Sequence, residues 1–382
     1  MGIYKEDIDE AKERLKAWWD FEIIDRPCVS YFYPRPDIKF LGIFDLWILA
    51  KNWENIEGLI ADFEKKAKAV YFGGETIPWL WPNYGPGIMA SVLGIEPKLG
   101  KDTVWFSRPT PIEDIVPLLE SAELNNNNPW YERLLRVTEY AAKRAGKEFA
   151  VALTDLGGIL DILSSFLGPT NLILAMKRKP SVIDTCRSII VEKWLKMFKT
   201  LQNIIDSYNL GCTNWLNIWC PKRWYPIQSD ISYMLSPKYF ERFALKDIIT
   251  LTEHMDYSIY HLDGPGQLPH LDALLKIPTL TGIQWVPGAG DDHPGSDKWM
   301  PVYKIIQAAK KNLILDNPVM ENPGLITNLY NKLDPKGLFT ILIFTDIITA
   351  KFYLPKFVGG EGGEGDFKTF KKDYRKKIKE SK

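Results

Sequence analysis

Two side chains that can both exchange protons and bind metals stand two residues apart in Tyr260-His261-Leu262-Asp263-Gly264, an apolar run that closes on a glycine. In an extended strand residues i and i+2 face the same side, so this imidazole and carboxylate point together and can share one ligand. His261 and Asp263 are therefore read as a catalytic and metal-binding pair. The competing reading is an ion pair in which a buried carboxylate only holds the ring. Catalytic zinc takes three protein ligands, and Cys212 and Cys220 lie on an earlier element while His270 belongs to the following helix. A second carboxylate, Asp230, ends Tyr225-Pro226-Ile227-Gln228-Ser229-Asp230, just ahead of a helix expected from Pro237. It is taken as the third catalytic group, with a local backbone cap as its structural alternative. Gln228 beside it is a candidate for substrate binding.

Three other segments offer contacts for a ligand. Gln284-Trp285-Val286-Pro287-Gly288 follows another apolar run with an amide, an indole and a glycine turn. Trp79-Leu80-Trp81-Pro82-Asn83-Tyr84-Gly85-Pro86-Gly87 lies in a stretch with neither helical nor strand period, and is read as a loop placing Trp79, Trp81 and Asn83 over a substrate mouth. Asp155 follows the buried run Phe149 to Leu153.

These residues share a position. A helical pattern opens the chain over Lys5 to Phe21, and a strand-like run follows at Cys28 to Phe32. Further on, apolar runs near Val70, Phe149 to Leu153, Cys212 to Ile218, Ser258 to Leu262, Gly282 to Val286, Asn312 to Leu315 and Leu338 to Ile343 alternate with helical periods. Among the latter are Trp130 to Ala145, a long helix from Pro180, Pro237 to His254, Pro301 to Ala309 and Leu325 to Leu333. Strands alternating with helices imply parallel pairing, and about eight of them favour an α/β fold of the (β/α)8 TIM-barrel type with an N-terminal helical extension. No G-x-G-x-x-G motif follows a strand, which removes the marker of a dinucleotide fold. The expected division is residues 1–52 packed on the barrel, 53–357 as the barrel, and 358–382 as a Gly-rich linker with a charged tail. In such a barrel the reacting groups follow the strands. The polar residues that do so are Thr154, Asp155, Asn217, Gln228, Asp230, His261, Asp263, Gln284, Asp316, Asn317, Thr345 and Asp346.

Composition narrows the function classes. The 382 residues carry 48 Lys+Arg and 48 Asp+Glu, and this zero formal charge speaks against nucleic acid as a partner. No apolar run reaches the ~20 residues of a bilayer span, so a cytoplasmic protein without a membrane partner is expected. Four cysteines in a chain of this size do not make a disulfide scaffold. Aromatic residues reach 13%, which suits an aromatic-lined cavity as well as a core.

At these motifs the chain resembles the uroporphyrinogen decarboxylase superfamily, which also holds cobalamin-dependent methyltransferases. The resemblance runs from about Trp53 to Leu354. It is carried by Gly85-Pro86-Gly87, Leu156-Gly157-Gly158-Ile159-Leu160-Asp161-Ile162-Leu163, Gln228-Ser229-Asp230 with Leu235-Ser236-Pro237, and Tyr260-His261-Leu262-Asp263-Gly264. It implies a (β/α)8 barrel. For the decarboxylase branch it also implies an arginine-rich motif and a catalytic tyrosine, where this chain has the single Arg35 and Phe166. The methyltransferase branch implies zinc held by His-x-Cys and a later Cys; here Asp263 replaces the first Cys, and the later position near Thr345 has none. Oxygen ligands remain compatible with zinc but not with a thiolate-rich site. The favoured reading is an enzyme that moves a methyl group between a small substrate and a corrinoid carried by a partner protein, with a homodimer left open. The alternatives are a decarboxylase of a pyrrolic or aromatic acid, with Asp230 stabilising a protonated intermediate, and a non-catalytic small-molecule-binding barrel. Glycoside hydrolysis ranks below them, because the strand-end carboxylates lack a Glu partner.

Overall fold

The computed structural model describes residues 3–35, 52–100, 103–146, 148–288, 290–317, 329–330, 332–344, 346–358 and 365–380. In chain order the strands are β1 (Cys28–Pro34), β2 (Val70–Gly74), β3 (Trp79–Leu80), β4 (Lys98–Leu99), β5 (Val104–Trp105), β6 (Ala150–Val151), β7 (Trp224–Ile227), β8 (Tyr257–Asp263), β9 (Gly282–Val286), β10 (Asn312–Asn317) and β11 (Leu338–Ile343). Helices separate most of them. The chain divides into two compact units, Met1–Ile43 with Glu64–Pro78 and Gly282–Lys382, and Phe44–Phe63 with Trp79–Thr281.

In the first unit the strand order is β2-β1-β11-β10-β9, parallel throughout except for antiparallel β2. The run Leu-Phe-Thr-Ile-Leu-Ile of β11 lacks polar alternation because a parallel strand is covered on both faces. The opening helix, Ile8–Trp19, buries Ala11, Leu15, Trp18 and Trp19 at helical spacing. Trp18 donates its indole N–H to Gly337 O at 2.9 Å and meets Phe339 edge-on. Beneath it the fully buried Glu75 takes two bonds from Arg26 at 2.8 Å and one from Val29 N–H. The expected strand near Val70 is present but antiparallel. The helix expected over Leu325 to Leu333 and the linker at 359–364 lie mostly outside the described residues, while Phe367–Glu380 is helical and packs Phe367 and Phe370 on Phe352.

The second unit holds the parallel pairs β3/β6 and β7/β8 and the antiparallel pair β4/β5. Leu153 N–H donates to Thr213 O at 2.8 Å, and the Cys212 thiol to Trp224 O, so the 212–213 segment lies between β6 and β7. Behind them runs Pro180–Asp206, whose proline supplies the first turn and whose stripe Ile183, Ile190, Trp194, Met197, Leu201 and Ile205 is buried. Its Arg187 makes a two-bond ion pair with Asp247.

One expectation is corrected here. Cys212 to Ile218 is not a strand: Cys212 and Cys220 form an isolated bridge, and Asn214 to Asn217 turn between them. Asn214 accepts Leu216 N–H on its side chain and Asn217 adopts φ 53°, two local options that asparagine takes at the expense of a ladder. The strand is instead β7, and its Pro226, which cannot donate to a ladder, hides it from a sequence reading. Parallel strands interleaved with helices make the protein α/β, as the alternation predicted. Among the described residues no single helix is long and apolar enough to cross a membrane.

Candidate active site

The site lies in the second unit and starts from β8. Its alternation buries Tyr260 and Leu262 and leaves His261 and Asp263 half-buried on the other face, as period 2 requires. Gly264, at φ 83°, turns the chain immediately afterwards. Asp230 opens a short 3-10 helix, Asp230–Met234, beyond the end of β7. One ligand atom from each of Asp230, His261 and Asp263 lies within 4.8 Å of the others. The three residues chosen as catalytic from the sequence therefore come together. The His261 and Trp215 rings meet edge to face at 5.2 Å and 88°.

A fourth carboxylate, Asp161, positions the third. It sits in the first turn of the helix Ile159–Leu167 and accepts the backbone N–H groups of Asp230 at 2.9 Å and Ile231 at 2.8 Å. It thus caps the 3-10 helix that carries Asp230. Asp155 accepts Gly157 N–H at 2.8 Å and Gly87 N–H, binding two turns whose glycines touch. A Cβ on Gly157, at φ 79°, would fall 2.6 Å from Gly87 Cα, so the Gly157 turn accepts no side chain. Trp194 holds Gly157 O from behind at 2.9 Å, and Tyr225 bridges Leu156 N–H and Thr154 O.

These carboxylates crowd one region. Burial pushes Asp161 up to about 7, with the Asp230 charge adding to it. Asp230 is also pushed up to about 7, by its enclosed surroundings and then by Asp263 and Asp155, although water reaches its surface. Burial raises Asp155 to about 6 against two backbone N–H bonds and the nearby His261. Among the described residues none of Asp155, Asp161, Asp230 and Asp263 pairs with Lys or Arg. A cavity of about 330 Å³ opens here, lined by Gly87, Gly157, Asp161, Gln228 and Asp230 among others. A larger groove, about 910 Å³, shares no lining residue with it and lies around Gly94, Arg108 and Asn128.

The remaining candidates are scattered. Gln228 lines the small cavity. Trp79 is buried in strand β3 rather than in a loop, and the part of its segment that lines the cavity is Pro86 and Gly87, not Trp81 or Asn83. Gln284 lies on β9 in the first unit, donating to Asp316 at 3.4 Å. Asp346 caps the helix Ile347–Tyr353, the structural alternative for a strand-end Asp. Thr345 and the Asn317 side chain lie outside the described residues. Arg35 donates to Val70 O, and Phe166 is fully buried. Asp161 and Trp215 were missed as site residues. Asp161 stood inside a quoted motif, but its partners are 69 and 70 residues away.

The donor set of one imidazole and two carboxylates suits a borderline or hard divalent cation, zinc among them, and leaves coordination positions open.

No family model and no curated protein matches the sequence. The fold is similar to the solved structure of a methyltransferase from Methanosarcina mazei, with a TM-score of 0.57 and 13% identity over 88% of this chain and 93% of that chain. At that identity the likeness extends to the α/β architecture.

Proposed function

We propose that the chain is a methyltransferase related to the uroporphyrinogen decarboxylase superfamily, moving a methyl group between a small substrate and a corrinoid on a partner protein. The proposed architecture is a closed (β/α)8 barrel over 53–357 in a cytoplasmic protein. The observation that carries the reading is the meeting of Asp230, His261 and Asp263 in one volume. The fold likeness to a methyltransferase supports it. His261, Asp263 and Asp230 would hold zinc, which when bound supplies Lewis-acid polarisation of a methyl-bearing group. The chain's own residues do the positioning. Asp161 fixes the backbone that presents Asp230, Trp215 meets the His261 ring edge to face, and Asp155 locks the glycine turns of the cavity wall. Methyl-bearing amines or alcohols would be held against this wall beside Gln228.

The test is metal content by mass spectrometry in wild type, His261→Ala and Asp263→Ala, with methyl transfer to cob(I)alamin followed spectrophotometrically over a panel of methylated amines and alcohols. A metal-free wild type that leaves the corrinoid spectrum unchanged with the whole panel would sink the reading. Decarboxylation is the second reading, favoured by the raised Asp230, which can be protonated near neutrality. The uroporphyrinogen form of it is disfavoured, since Arg35 is engaged with Val70 O and buried Phe166 has no hydroxyl. Coproporphyrinogen formation by the pure protein would reverse that order.

A further inference from the structure

The turn between Cys212 and Cys220 carries polar atoms that bond nothing among the described residues. Asn214 is fully buried and spends its carbonyl oxygen on Leu216 N–H, which leaves its NH₂ group without a partner among those residues. The Thr213 hydroxyl, at 1% exposure, and the Asn217 carbonyl oxygen, at 6%, are also unpartnered among the described residues. So is the indole N–H of Trp215. Native interiors satisfy buried polar groups, and a cluster of orphans on one turn calls for an occupant. The turn borders the candidate active site, because the Trp215 ring lies against His261.

The chemistry of the orphans defines what they take. Asn214 and Trp215 offer only N–H donors, Thr213 offers a hydroxyl, and Asn217 alone offers a pure acceptor. This set complements a compact oxygen acceptor such as a carboxylate. Among the described residues the neighbouring Asp230, Asp263 and Asp155 have no Lys or Arg partner, and carboxylates this close together favour a positively charged ligand. The Trp215 face can also receive a cation.

We propose that the Thr213–Asn217 turn is a substrate subsite gripping the oxygen acceptor of a small zwitterion whose methylated ammonium lies toward the carboxylates. The methylated half of this ligand rests on the methyl-transfer reading; the acceptor half does not.

The experiment is calorimetric titration of zinc-loaded and chelator-treated protein with trimethylglycine and with tetramethylammonium, which carries the same kind of cation without the carboxylate. Trimethylglycine should bind roughly tenfold tighter or more. Asn214→Asp keeps an acceptor for Leu216 N–H while removing the donor, and should bring trimethylglycine down to about the level of tetramethylammonium, whose affinity does not fall. Thr213→Val gives a second variant that leaves the turn's backbone bonds intact and should weaken trimethylglycine selectively. Melting temperatures confirm folding of both. Equal affinities for the two probes in wild type, as expected if ordered water alone fills the subsite, overturn the proposal. So does failure of trimethylglycine to bind, or unchanged selectivity in both variants. Selective binding without any methyl transfer would overturn the methyltransferase reading and leave the subsite standing.

Discussion

Carboxylates are treated in opposite ways in the two units. In the first, Glu75 is fully enclosed and fully answered: Arg26 binds it through two bonds, Arg14 approaches to 3.7 Å and Val29 N–H completes the set. In the second, Asp155, Asp161, Asp230 and Asp263, of which only Asp155 is buried, crowd one region with one imidazole and a few backbone N–H groups. Removing a partner from a matched buried pair is costly, whereas crowded unmatched carboxylates hold on to protons or wait for a cation. The first arrangement holds a fold together. The second is one that a fold tolerates when the site has chemistry to perform.

The sharpest way to break this contrast is at His261. On the methyl-transfer reading, replacing it by Ala should reduce turnover by roughly a thousandfold or more, because the proposed metal-binding set would lose its imidazole, while stability moves by about 1 kcal/mol or less. A variant that retains turnover on the wild-type substrate, or that unfolds, would place the imidazole among the structural residues.

Glu75→Ala probes the other side. It strands Arg26 against buried surroundings and should cost about 3–5 kcal/mol in urea denaturation without altering zinc stoichiometry in the folded fraction. A loss below about 1 kcal/mol would mean that solvent reaches the pair and the contrast is false.

The third test uses pH. Asp155 is held at about 6 in the folded chain against an ordinary 3.8, chiefly by burial. The folded state therefore binds this proton more tightly than the unfolded state does. The resulting stability is complete below about pH 4 and is lost as pH rises through about 6, a difference of up to about 3 kcal/mol. In chelator-treated protein, Asp155→Asn should flatten the fall in stability between those limits. Parallel pH curves for the two proteins would refute the assignment.

The smallest expected effect is that of Asp161→Ala. By freeing the backbone at Asp230 it should weaken zinc binding about 10- to 100-fold, with Asp161→Asn recovering part of the loss because its carbonyl can accept one of the two N–H bonds. Direct titration with zinc measures this without turnover, and equal affinities in all three proteins would leave Asp161 a helix cap only.

What could be read from the residues alone was local. Alternation over Tyr257–Asp263 was enough to put His261 and Asp263 on one face, and helical spacing of Ala11, Leu15, Trp18 and Trp19 marked the opening helix. The parallel α/β character followed from the order of such segments. Periodicity reports a segment's own geometry, so it misled where side chains compete with the backbone. Asn214 and Asn217 folded an apolar-looking run into a turn, and Pro226 concealed a strand.

The amino-acid sequence by itself determined the chemistry available: one imidazole and a carboxylate at fixed spacing, carboxylates following apolar runs, and Asp263 where a His-x-Cys pair would carry its thiolate. Only the tertiary structure decided which groups meet. Asp161 grips a backbone 69 residues further on, Trp215 closes on His261 across 46 positions, and the Asn214 amide becomes an unpaired donor only because its turn is buried. The physical reason is that burial and charge crowding depend on what surrounds a group in space. Solvation, pairing and protonation are set by that surrounding shell, and sequence neighbours supply only a small part of it.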